Sequence, residues 1–287
     1  MRRVRAARSA GMALVAVLWI VAALSVLVTG LILTTRAQIG VVAAGRDAAT
    51  GQALGDAAIA LALQALLADS DRPAGVQTVS VTYADQSMQV EVAPLDGLIS
   101  LNGASAPLLA ALLQGASGLP PAAAQDLAQQ LVDWRSEVPP TQTLGAAAGQ
   151  PRLFEAPEDL LLVPGVDYDL YARIAPLVSA DLRSGRVNPQ AAPPQVLAAL
   201  APGDPGRIAQ FIAARAGGQP ADSSFLDPSL VGAASSGRFY RLRVSVPLDA
   251  GKMLVMTRDV TLISASSSLL PWRMLRQSRQ IQLPGAP

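Results

Sequence analysis

Residues 12–33 form an uncharged run whose apolar character is broken only by Ser25 and Thr29. At about 1.5 Å per residue a helix of this length reaches roughly 33 Å, which matches a hydrocarbon core of about 30 Å. Beyond it, Ile39, Val42, Ala43, Ala49, Ala53, Ala57, Ala60, Leu61 and Leu67 recur at helical spacings, opposite Arg36, Arg46, Asp47, Gln52, Asp56 and Gln64. The pattern predicts one continuous helix over residues 12–68, roughly 85 Å long. Its half at 12–34 is apolar all round and its half at 35–70 is amphipathic. Gly40, Gly45, Gly51 and Gly55 mark bends or close packing along it.

After the breaker DSDRPAG the period changes to two. Val79, Val81 and Tyr83, then Met88, Val90 and Val92 beyond the turn ADQS, predict a β-hairpin within 71–95, and the alternation at 239–248 and 253–263 predicts another within 237–265. The intervening 96–236 is punctuated by Pro and Gly and reads as helical. The fold class expected is α+β: a long N-terminal helix on a small antiparallel sheet, with a large all-α domain inserted between the strands. The low-complexity end, 266–287, carries Arg273, Arg276 and Arg279 with no acid and reads as a flexible tail.

Composition narrows the chemistry. The chain lacks Cys and His, which removes thiol nucleophiles, Cys or His zinc sites and imidazole catalysis. Lys252 is the only lysine and falls in a predicted turn, so no Ser-Lys dyad is in view, and the chain is read as a non-enzyme. With 22 Lys+Arg against 21 Asp+Glu, no global field draws it to nucleic acid.

Arg2, Arg3, Arg5 and Arg8 precede the apolar run without any acid. The positive-inside rule keeps them cytoplasmic and sends the bulk of the chain across the membrane. A secretory signal, a single-pass anchor and a prepilin leader compete for this segment. Against the signal stand the length of the run and the lack of an A-x-A site before Arg36. Composition alone favours the anchor, whereas Gly11, last residue of the basic stretch, sits where prepilin peptidase cuts.

The stretch RSAGMALVAVLWIVAALSVLV resembles the start of general secretion pathway protein K, the large minor pseudopilin of type II secretion systems. Further stretches resemble that family in the expected order: DGLISLNGAS at 96–105, LVDWRSE at 131–137, EDLLLVPGVDYDLYARIAPLV at 158–178 and RVNPQAAPPQVLAAL at 186–200. The resemblance implies a pilin-like body with a helical insertion and a leader at 1–11 cut between Gly11 and Met12. Met12 would become the methylated first residue, and Met12, Ala16 and Trp19 are the expected assembly residues. Ala16 stands where most pseudopilins carry glutamate, an absence typical of the K subunit. In a helical bundle the mature amine is a charge in low dielectric that gains from a carboxylate partner. A subunit with Ala16 can receive such a carboxylate from below but offers none upward, which suits the fibre tip. The implied partners are the I and J minor pseudopilins, the major pseudopilin and prepilin peptidase, at the inner membrane with the bulk in the periplasm.

Two other chemistries are weighed. The segment LLLVPGVDYDLYARIAPLV also resembles a helix-hairpin-helix element, so the alternative function is a single-pass periplasmic binding protein that uses it for ligand or DNA. Residues 152–186 hold four arginines against six acids, the wrong balance for phosphate, and Leu160, Leu161, Val163, Leu170, Ile174 and Leu177 read more simply as core. Calcium, implied by the resemblance, would need six to eight oxygens in the helical insertion. Asp133 and Glu137 are the weak candidate ligands, with Glu155, Glu158 and Asp159 as further acids that more often cap helices or face solvent.

Overall fold

The computed structural model describes residues 9–69, 72–136, 151–217, 221–233, 237–263 and 270–283. Helix α1, Ser9–Ala68, runs unbroken for 60 residues, about 90 Å at 1.5 Å per residue. Its C-terminal half packs on a five-stranded antiparallel sheet of order β1-β2-β5-β6-β7. The strands are β1 Gln77–Tyr83, β2 Gln86–Pro94, β5 Phe239–Pro247, β6 Met253–Leu262 and β7 Trp272–Gln282. A two-residue turn with Ala84 and Asp85 at positive φ closes the first hairpin, the backbone that matches strand twist.

Between β2 and β5 the chain forms β3 (Ile99–Ser100), α2 (Ala106–Ser117), α3 (Pro121–Ser136), α4 (Tyr168–Ile174), β4 (Val178–Ser179), α5 (Pro194–Leu200) and α6 (Pro205–Ala216). Strands β3 and β4 pair in parallel, so this region is mainly helical and not all-α as the pattern had predicted. Two-residue strands carry too little alternation to be read from sequence. The helical region has its own core, built from the Leu108, Leu109, Leu112 and Leu113 face of α2 against Leu127, Leu131, Leu160, Val196 and Leu197.

The end of the chain corrects the expectation of a flexible tail. β7 pairs with β6 across the whole strand, with a bulge between Asp259 and Val260. Its polar composition hid it, because an edge strand exposed on both faces needs no apolar alternation.

The stripe expected on α1 is also revised. Val42 is 71% exposed and Ala49, Ala53, Ala60 and Leu61 are exposed, while Ala58, Ile59, Ala62, Leu63 and Leu66 meet the sheet. Gly51 and Gly55 extend that buried face: a Cβ on Gly51 would enter the Leu248 side chain, and one on Gly55 the Met256 sulfur. The glycines therefore serve close approach, and α1 stays helical through them. Burial of Ile59, Leu63 and Leu66 is worth about 1.5–3 kcal/mol each as an upper bound.

Candidate functional site

In the N-terminal half of α1 the described side chains, at 14–25, 27 and 28, are exposed. Leu14, Leu18, Trp19 and Leu27 are exposed, Trp19 at 73%, and so is Ala16. Trp19, Ala22, Ala23 and Leu27 line a shallow hollow of about 430 Å³. Their spacing puts them on one helical face, and Ala16 falls three residues before Trp19 and seven before Ala23 on that face. Small residues beside an aromatic create a notch into which another helix can press, the packing on which helices in lipid depend. No acid lies anywhere from residue 9 to residue 46, so the surface carries no carboxylate. The basic residues at 2–8 lie outside the described residues, and Gly11 and Met12 are described only as helical backbone.

Among the described residues Val42–Ala68 of α1 is long and apolar enough to cross a membrane, and Leu14–Ser25 is a shorter apolar stretch; 39% of the most apolar window of Val42–Ala68 is buried, and its glycine and alanine face rests on the sheet. It is the core helix of the folded body. The described side chains from 14 to 25 have no such cover among the described residues.

Three polar ties fix the direction in which the rod projects. Arg258 of β6 pairs with Asp56, Arg279 of β7 donates to Gln52 Oε1 at 2.7 Å, and the Asp249 N–H donates to Asp47 Oδ2 at 2.9 Å. Such ties at a partly exposed surface contribute little energy each, but they fix the rotation of α1 about its axis.

The stretches quoted for the family resemblance converge on the junction between sheet and helices. Asp96 (3% exposed) and Asn188 (2% exposed) meet there: Asn188 Nδ2 donates to Asp96 Oδ1 at 3.1 Å and to the Ala74 carbonyl at 2.7 Å. The Asn188 N–H donates to the Asp96 carbonyl at 2.8 Å. Gly97 lies so close to Ala191 that a Cβ would overlap its carbonyl. Asn102 Nδ2 donates to the carbonyls of Phe154 (2.8 Å) and Ala180 (2.7 Å), and its Oδ1 accepts the Phe154 N–H at 2.9 Å. Ser100 Oγ donates to the Leu182 carbonyl at 2.6 Å. From the Trp-bearing segment, Arg135 donates to the Leu101 and Ala104 carbonyls at 2.7 and 2.6 Å, and burial lowers its pKa. Trp134 stacks on Phe154 with centroids 4.3 Å apart, and Arg152 lies over the indole at 4.3 Å. These residue types recur because irregular backbone is buried here, and each buried carbonyl or N–H needs a partner. Sequence order suggested the segments, but nothing in it indicated that Asp96 would meet Asn188.

Asp133 is exposed and its Oδ1 accepts from Gln129 Nε2 at 2.8 Å, while Glu137 lies outside the described residues. Asp159 accepts the N–H groups of Glu155 and Ala156, and Glu158 pairs with Arg276 at 3.0 Å. Among the described residues no group of three or more acids is placed to hold a metal ion.

In the helix-hairpin-helix segment Gly165 takes φ 88° and Leu160, Val163, Val166, Leu170, Ile174 and Leu177 are buried. Leu161, expected in that core, is 42% exposed instead. The Asp167 side chain caps α4 by accepting the Leu170 N–H, which fills the turn position with a carboxylate that repels phosphate.

Asp181 illustrates a cost built into the junction. Its Oδ2 is buried without a hydrogen bond among the described residues, and its pKa is raised first by burial, with Asp259 adding to the rise and Arg276 and Arg273 opposing it. A carboxyl whose folded pKa lies above its unfolded value penalises folding once pH exceeds that value. Asp181→Asn is therefore expected to raise the melting temperature at pH 7, with a gain that shrinks as pH falls through the folded pKa. Thermal melts from pH 4 to 8 check this; an equal gain at every pH would contradict it.

Residues 95–181 match the family model described as type II secretion system (T2SS), protein K. The matched segment begins at the β2 end and closes just after β4, so it contains Asp96, Asn102, Arg135 and Phe154 of the junction. No curated protein matches the chain.

Proposed function

We propose, from the match of residues 95–181 to the family model of type II secretion system protein K, that this chain is a minor pseudopilin of that family, which forms the tip of the pseudopilus and helps initiate its assembly for protein export across the outer membrane. The observation that carries the reading is an apolar, carboxylate-free helical rod, exposed at Leu14, Leu18, Trp19, Leu24 and Leu27 and tied to a folded body. A rod of this kind is at rest either in lipid or against other apolar helices, and assembly moves it from the first to the second.

In this reading prepilin peptidase cuts between Gly11 and Met12, Met12 is methylated, and the face bearing Ala16 and Trp19 packs on the helices of the I and J minor pseudopilins. The body faces the periplasm and the major pseudopilin adds below. Lacking a carboxylate at Ala16, the subunit cannot neutralise an amine above it, and its large helical region would be hard to repeat along a tightly wound shaft. Both features favour the terminal position. The binding-protein alternative draws less support, because the helix-hairpin-helix residues are spent on core and capping.

Mass spectrometry of the N-terminus in cells with active prepilin peptidase tests the reading. A methylated Met12 is expected, and an intact leader would overturn it. Gly11→Ala is expected to abolish processing and secretion. Ala16→Glu should be processed normally yet reduce recovery of the chain in a complex with the I and J subunits.

A further inference from the structure

A cleft of about 850 Å³ opens between the outward face of the sheet, opposite α1, and helices α5 and α6, and its inner end adjoins the junction at Leu95, Leu98 and Ala191. Its floor crosses three strands, with Thr78 on β1, Glu91 and Ala93 on β2, and Arg241 and Arg243 on β5. Its wall is Pro193, Pro194, Ile212 and Arg215. The volume lies in the range of ordinary ligand sites, about 300–1,000 Å³.

The charges in this cleft are unevenly satisfied. Arg241 is closed off by a bidentate pair with Asp259, at 2.8 and 2.9 Å. Arg215 uses Nη1 on the carbonyls of Pro189, Gln190 and Ala192, which leaves its Nε and Nη2 without a hydrogen bond among the described residues. Glu91 and Arg243 stand opposite each other across the β2–β5 ladder, yet no salt bridge joins them among the described residues. Two guanidiniums with free donors therefore face one carboxylate. The half-buried position of Arg215 strengthens its pull on an anion, since less water competes for it.

We propose that this cleft binds an extended acidic peptide segment of another protein, with carboxylates on Arg243 and Arg215 and apolar side chains against Pro193, Pro194 and Ile212. The extended form follows from a floor that runs across strands, and the peptide character from the apolar wall. Phosphate recognition is disfavoured, because it draws on converging backbone N–H groups that prolines lack, and nucleic acid would demand a far larger cationic excess. This binding goes beyond the assembly role and needs neither leader processing nor a pseudopilus.

Fluorescence anisotropy on the full chain in detergent micelles tests it, with a labelled octapeptide alternating aspartate and leucine and a second alternating lysine and leucine. Saturable binding of the acidic peptide alone is expected, weakened about tenfold by Arg243→Glu and strengthened about threefold by Glu91→Gln. Both positions are exposed, so the fold should survive, and unchanged thermal melts verify it. Binding of neither peptide, equal binding of both, or indifference to both substitutions would overturn the proposal. Displacement by succinate at the peptide's own concentration would overturn it too, since a free dicarboxylate would then suffice.

Discussion

Asn102→Asp is expected to destabilise the folded body by about 3 kcal/mol, among the larger effects of a single substitution, because a carboxylate would face two carbonyl oxygens that now accept hydrogen bonds. The amide of Asn102 is fully engaged, donating to Phe154 and Ala180 and accepting from the Phe154 N–H. The change of one atom removes both donated bonds and adds repulsion in a partly buried site. The third bond, to Oδ1, survives. Lowering the pH should recover part of the loss, since a protonated Asp regains one donor. Urea titrations at pH 7 and pH 4 measure this, and a loss below 1 kcal/mol at pH 7 would show that the two carbonyls find other partners. Because Asn102 ties the segment at Phe154 to Ala180, the residue that follows β4, the damage should fall on the helical region and leave the apolar rod intact.

Removal of β7 by ending the chain at residue 270 is expected to have the largest effect of all, with the body aggregating or being degraded. The loss comprises a ladder from Leu262↔Trp272 to Met253↔Gln282, the Arg279 tie to Gln52, and the Arg276 pair with Glu158. It also strips β6, whose Leu254, Met256, Val260 and Leu262 are buried, and turns it into an apolar edge open to other chains. A mobile tail would predict the opposite, a truncation without consequence. Expression level, and hydrogen exchange of the β6 amides in whatever soluble chain is recovered, decide between these. Protection of β6 equal to that of the full chain would refute a structural role for β7.

The contrast between these two sites shows what a pattern can carry. Asn102 lies in a stretch that the sequence already singled out, DGLISLNGAS, although its partners at Phe154 and Ala180 are 52 and 78 residues away. β7 lies in a stretch that was misread. Side chains that are wet on both faces, such as Gln277, Ser278, Arg279 and Gln280, give no alternation, and the strand exists through main-chain pairing with β6. The stripe on α1 failed for a related reason. Alanine and glycine are abundant all round that helix, so composition could not tell which side meets a sheet; the depth of Gly51 and Gly55 against Leu248 and Met256 decided it.

By itself the sequence determined the long helix, its two unlike halves, the β1–β2 and β5–β6 hairpins and the lack of thiol or imidazole chemistry. These depend on local period, length and residue inventory, which a chain carries wherever it folds. Only the tertiary structure decided which face of α1 is covered, that β7 completes the sheet, that Asp96 and Asn188 share one buried contact, and that Glu91 and Arg243 face a cleft with no salt bridge between them among the described residues. Each of those depends on residues distant in the chain meeting in space, where packing and hydrogen-bond satisfaction outweigh local preference.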